Sequence, residues 1–173
     1  ACAQVAAAAP GLLVKYTLAG PDVPRPDRMM ALRVAVNCFA YEEGAAIVMQ
    51  PGSVESLVEA VAESINHDQP AISKTAAVLA FNLAGSQKRH PKSVSSLSEE
   101  SKVRFLFAAV ERARDCVVPT SPEEAYPLLS AIAIAVDGDL DSCELVNTLD
   151  IDFSSYLDPT ICTDDKTAHV AKH

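Results

Sequence analysis

Arg33 and Asn37 stand four residues apart inside the otherwise apolar run ALRVAVNCFA, residues 31–40. On a helix that spacing puts the guanidinium and the carboxamide on one face. An arginine is seldom buried without a partner. Arg33 therefore either pairs with an internal carboxylate or faces a solvated groove, where it can hold an acidic side chain or a terminal carboxylate in bidentate fashion. A second carboxamide, Asn82, lies in AAVLAFNLAG, residues 76–85. An amide both donates and accepts. Asn37 and Asn82 can thus grip the backbone of an extended peptide without reading its sequence, or satisfy a nearby loop carbonyl and close their own helices. Lys88, Arg89, His90 and Lys92 form the positive run KRHPK. It reads as a solvated loop or, at the rim of a groove, as a device that steers an acidic ligand, with Lys74 joining it.

Other chemistry has weaker support. The five cysteines, Cys2, Cys38, Cys116, Cys143 and Cys162, lie far apart and none forms a CxxC pair. They read as inert, reduced thiols in an intracellular protein, in the cytoplasm or nucleus, and not as zinc ligands or as nucleophiles served by His67 or His90. No GxSxG, HExxH or glycine-rich phosphate loop is present. The sequence therefore predicts a non-enzyme with no metal and no cofactor. The net charge of −9 disfavours nucleic acid. No apolar run approaches the length of a membrane span.

The elements that must position these residues read as helices throughout. With 173 residues the chain is long enough for one domain with a real core. No segment alternates with the period of a strand. Residues 2–19 look helical in part, with Pro10 breaking the pattern, and ACAQVAAAA reads as a helix fragment of a longer protein, not a signal peptide. GPDVPRP, residues 20–26, is a rigid turn. Asp27 can cap a helix to about Tyr41. A short helix over Glu43 to Met49 follows, ended by Pro51-Gly52. Ser53 can cap a helix to about Asn66, in which Glu55, Glu59 and Glu63 make a solvated ridge of like charge. A helix spans about Ala71 to Ala84, with Gly85 as its terminator. After a polar loop over 86–97, Ser98 opens a helix to about Cys116 that carries a Glu100–Arg104 pair. Ser121 and Glu124 fit a capping box with Pro122 at the first helical position, for a helix to Val136. A last helix covers about Leu140 to Leu149.

Two of these helices repeat each other. ALRVAVNCFA and AAVLAFNLAG place Asn37 and Asn82 45 residues apart, and LLSAIAIAVDG repeats the pattern with Ala135 at the Asn position. A helical unit of about 40–47 residues predicts an all-α fold of the armadillo or HEAT kind: a right-handed superhelix of stacked repeats with a concave groove. The expected division is an N-terminal helix remnant and Pro-rich turn over 1–26, a repeat domain over 27–158 and a loosely ordered tail over 159–173.

ALRVAVNCFAYEEG, TAAVLAFNLA and EEAYPLLSAIAIAVDGD, in that order, resemble the signatures of the PUL domain, the C-terminal module of phospholipase-activating protein in the ubiquitin pathway. The resemblance spans about residues 28–150. It implies an armadillo-like, non-catalytic domain that binds the acidic C-terminal tail of the AAA ATPase known as valosin-containing protein, in a positively charged groove. Arg33, Asn37, Asn82, Lys74 and Tyr126 would line that groove, with Lys88, Arg89, His90 and Lys92 at its rim. Pro127 stands where relatives often carry an Arg thought to help bind the tail. It removes that charge, and by its position should kink the helix or delay its start. The alternative is a structural repeat module that packs on another domain of its own chain.

Overall fold

The computed structural model describes residues 2–16, 23–87, 89, 97–115, 122–137 and 139–149. Eight helices occur among them: α1 (Cys2–Tyr16), α2 (Arg25–Cys38), α3 (Glu42–Val48), α4 (Pro51–Ile65), α5 (Pro70–Gln87), α6 (Glu99–Asp115), α7 (Pro122–Val136) and α8 (Leu140–Thr148). No strand occurs among the described residues. The expected all-α fold of helical repeats is therefore what the chain adopts.

The helices pack in two layers. In one, α2 lies on α5 and α5 on α7; in the other, α1 lies on α4 and α4 on α6. Three pairs bridge the layers: α1 with α2, α4 with α5, and α6 with α7. The three sequences that repeat one another, on α2, α5 and α7, thus occupy neighbouring positions of a single layer, as stacked repeats require. The composition of these helices explains how they fit. Between its neighbours α2, α4 and α7, α5 buries Ile72, Ala76, Ala77, Leu79, Ala80, Leu83 and Ala84 over most of its circumference. Alternating alanine with leucine lets the backbones approach while the leucines fill the space between layers. Each fully buried leucine contributes roughly 1.5–3 kcal/mol of transfer free energy. The opening helix belongs to this core, since Ala6, Ala9 and Leu13 are fully buried.

Several local expectations are corrected. α1 runs through Pro10 to Tyr16. α2 starts at Arg25 behind Pro24, with Pro26 and Asp27 already inside its first turn, so Asp27 is not the cap. Pro51 does not end α3 but opens α4, with Gln50 as N-cap and Ser53 within the helix; proline at a first helical position forgoes only an amide that would be unpaired anyway. Gly85 lies inside α5, which continues to Gln87. Pro127 neither delays nor ends α7, which begins five residues earlier. Ser121 lies outside the described residues, and the Glu124 carboxylate expected to cap back toward it is engaged by Arg112 instead, Nε to Oε1 at 2.7 Å. That ion pair, with the Glu124 side chain 2% exposed, anchors the first turn of α7 to α6. Arg112 also donates to Ser73 Oγ on α5 at 3.1 Å, so three helices meet on one guanidinium.

The acidic ridge of α4 is only partly solvated. Glu55 accepts hydrogen bonds from Ser98 Oγ, at 2.7 Å, and from Ser101 Oγ at the start of α6. Those hydroxyls, Ser101 first and then Ser98, hold the Glu55 carboxyl below its ordinary range. Glu63 faces Arg104 at 3.8 Å across the same interface, in place of the expected Glu100–Arg104 pair.

Candidate functional site

An open cleft of about 460 Å³ lies between α2 and α5. Arg33, Val36 and Asn37 line it from α2; Lys74, Thr75 and Val78 line it from α5. The local sequence dictates this arrangement. Leu32, Ala35 and Cys38 take the buried face of α2, so Arg33 and Asn37 are turned outward. Burial of Ile72, Ala76 and Leu79 likewise leaves Lys74, Thr75 and Val78 on the free side of α5. The two walls are pinned beside the cleft by Thr75, whose hydroxyl lies 3.4 Å from Met29 Sδ and donates to the Ala71 carbonyl at 2.8 Å.

Two cations and an amide surround an apolar floor of Val36 and Val78, and no carboxylate is among the lining residues. On a chain of net charge −9 this is a local inversion of sign. Arg33 and Asn37 are both exposed, and no described carboxylate pairs with Arg33. Of the two sequence readings of Arg33, the solvated face is the one observed. Met30, one turn earlier on the same face, is 65% exposed and offers an apolar contact beside the cleft.

The remaining sequence candidates fall elsewhere. Asn82 is half-buried on α5 and Tyr126 half-buried on α7, and neither lines the cleft. Tyr126 packs on Phe81, ring centroids 6.2 Å apart, in the α5–α7 seam. Arg89 is exposed and donates to Ser86 Oγ at 3.2 Å. Lys88, His90 and Lys92 lie outside the described residues, as do Cys116 and Cys162. Cys38 is buried, and the half-buried Cys143 directs its thiol at the Val136 carbonyl, 3.3 Å away. Sequence reasoning missed Val36, Thr75 and Val78. The repeat held a clue to one of them: the 45-residue offset that relates Asn37 to Asn82 also relates Arg33 to Val78.

Two layers of paired helices with an exposed, oppositely charged cleft describe a helical-repeat interaction module. The PUL domain family model matches residues 3–151, and the chain belongs to that family, whose members are protein-interaction domains. No curated protein and no solved structure matches it at a significant level.

Proposed function

We propose that the α2–α5 cleft binds an acidic, extended peptide segment, the C-terminal tail of a valosin-containing-protein-type AAA ATPase. In this reading the domain is a non-catalytic adaptor in ubiquitin-dependent processes, in the cytoplasm or nucleus. The observation that carries it is the cleft lining: Arg33 and Lys74 flank Asn37 over an apolar floor, without a carboxylate, on an acidic protein. The guanidinium of Arg33 matches a carboxylate in bidentate geometry, Asn37 offers a donor and an acceptor to peptide backbone, and Val36, Val78 and Met30 suit an apolar or aromatic side chain. The cations also raise the encounter rate of an acidic ligand at low salt.

The test is anisotropy of a labelled tail peptide titrated with the domain, at low and physiological salt. Arg33→Glu replaces attraction by repulsion and is expected to weaken binding at least tenfold, on the order of 1.4 kcal/mol or more. Affinity is expected to fall as salt rises. Equal binding by wild type and Arg33→Glu would remove the cleft from the interaction. A second reading, a module that packs on another domain of its own polypeptide, draws on Val103 and Phe107, apolar residues 45% and 42% exposed one turn apart on α6.

A further inference from the structure

A second cavity, of about 290 Å³, opens where the N-terminal end of α2 meets the α4–α5 turn. Arg25 and Arg28 line it from α2, Glu63 from α4, His67 and Gln69 from the turn, and Ile72 from α5. None of these residues lines the α2–α5 cleft. Its polar groups are of two kinds. The donors are the guanidinium of Arg25, exposed, and that of Arg28, only 5% exposed. Arg28 is itself held within the protein, and the five N–H donors of a guanidinium let it serve more than one acceptor. His67 adds a third donor. Its Nδ1 accepts from the Gln69 amide N–H at 3.1 Å, so the neutral ring carries its proton on Nε2. The acceptors are the Glu63 carboxylate and the Gln69 side-chain oxygen. That Gln69 Oε1 is buried and receives no hydrogen bond among the described residues. Glu63, exposed, is therefore the acceptor that a ligand in the cavity meets.

A fully ionised oxyanion would satisfy the arginines but meet the Glu63 carboxylate lone pair to lone pair. An oxyanion that retains one proton satisfies both: its ionised oxygens accept from the arginines, and its O–H donates to Glu63. Inorganic phosphate holds such a proton throughout the neutral range, a phosphate monoester holds one below its second pKa of about 6, and sulfate holds none. We propose that this cavity is a binding site for a monoprotonated phosphate group, either free or borne on a phosphorylated side chain.

Proton linkage gives the site a second signature. Around His67 stand Arg25 and Arg28 from α2, Glu63 from α4 and Asp68 in the turn. Burial, then the charge of Arg28, holds the imidazole below its ordinary range, so the ring is neutral at pH 7. In that neutral form the ring offers its Nε2–H to a bound anion while Nδ1 stays engaged by the Gln69 backbone N–H. For a phosphate monoester, which gains its proton as pH falls toward about 6, binding tightens from pH 8 toward 6.

The experiment is an NMR titration of the whole chain, following the His67 ring and Gln69 side-chain amide signals at constant ionic strength. Three probes are used: inorganic phosphate, N-acetyl-O-phosphoserine amide and sulfate. The expected result is saturable binding of phosphate, and binding of the phosphoserine derivative that is tighter at pH 6 than at pH 8. Sulfate should bind about tenfold more weakly or not at all, because a site with unmatched polar groups rejects the ligand that leaves them unpaired. Arg25→Ala, an exposed position where folding is not at stake, is expected to weaken phosphate binding at least fivefold, and Arg33→Glu to leave it unchanged. Tighter binding of the phosphoserine derivative would identify a phosphorylated side chain as the source, and equal binding the free ion; both support the site. Non-saturating shifts, sulfate binding as tight as phosphate, or no effect of Arg25→Ala would each overturn it.

Discussion

Replacing Arg112 by Met removes the guanidinium that joins α5, α6 and α7 while keeping most of its aliphatic volume. Glu124 then holds a carboxylate with its side chain 2% exposed and its charged partner gone from 2.7 Å. Stranding one member of a buried pair costs about 3–5 kcal/mol. Arg112 itself is 26% exposed, so water can enter from its side and the cost belongs at the lower end, about 3 kcal/mol. Ser73 loses one donor but still donates to the Pro70 carbonyl at 3.3 Å, which adds little. For a chain of this length about 3 kcal/mol lowers Tm by roughly 6–12 °C. Urea unfolding followed by circular dichroism measures the free energy directly. The double variant Arg112→Met/Glu124→Leu removes the stranded charge together with its partner and is expected to return to within about 1 kcal/mol of wild type. A loss below about 1 kcal/mol in the single variant, or a double variant no more stable than the single, would refute the assignment of this ion pair as the anchor of α7.

Three further outcomes follow from the packing. Ser101→Ala removes the principal hydrogen bond to the Glu55 carboxylate and is expected to cost about 1–2 kcal/mol at pH 7. Because Glu55 has a depressed pKa in the folded protein, its contribution is present above the ordinary value of 4.5 and lost as pH falls through the folded pKa. The gap between wild type and Ser101→Ala should therefore close below about pH 4.5 in acid-unfolding curves, and a gap independent of pH would contradict it. Gly44→Ala would drive a methyl group into the Cys38 backbone carbonyl, where α3 crosses the end of α2; a loss of about 1–3 kcal/mol is expected in thermal melts. Gly85→Ala, by contrast, meets nothing within 4 Å inside α5 and is expected to stabilise by about 0.5–1 kcal/mol.

The helices were legible because their apolar spacing matches the faces they bury, and the repeat because three similar sequences share one layer. Boundaries failed where one residue serves two purposes. Pro51 reads equally as a stop and as a first helical residue, and Gly85 reads as a terminator although packing of Leu83, Ala84 and Ser86 carries the helix past it. The Arg33–Asn37 face was visible from spacing within one helix; Thr75 and Val78 were not, because they come to it from another. The ion pair of Arg112 with Glu124 left no such trace, since the partners lie on different helices. Arg28 and Gln69 were invisible for the same reason: their site forms only when α2 and the α4–α5 turn come together.

In a stack, each helix is held only by its neighbours, so opening proceeds inward from the ends. α8 rests on α6 and α7 and, with Leu149 just after it, contributes Leu145 and Val146 only as partly buried side chains. The tie at Arg112 joins α5, α6 and α7 without involving α8. Amide hydrogens of α8 should therefore exchange by local opening, while those of α5 exchange only on global unfolding. Among the described helices, local opening of α8 therefore leaves the cleft wall that Lys74 and Thr75 provide undisturbed.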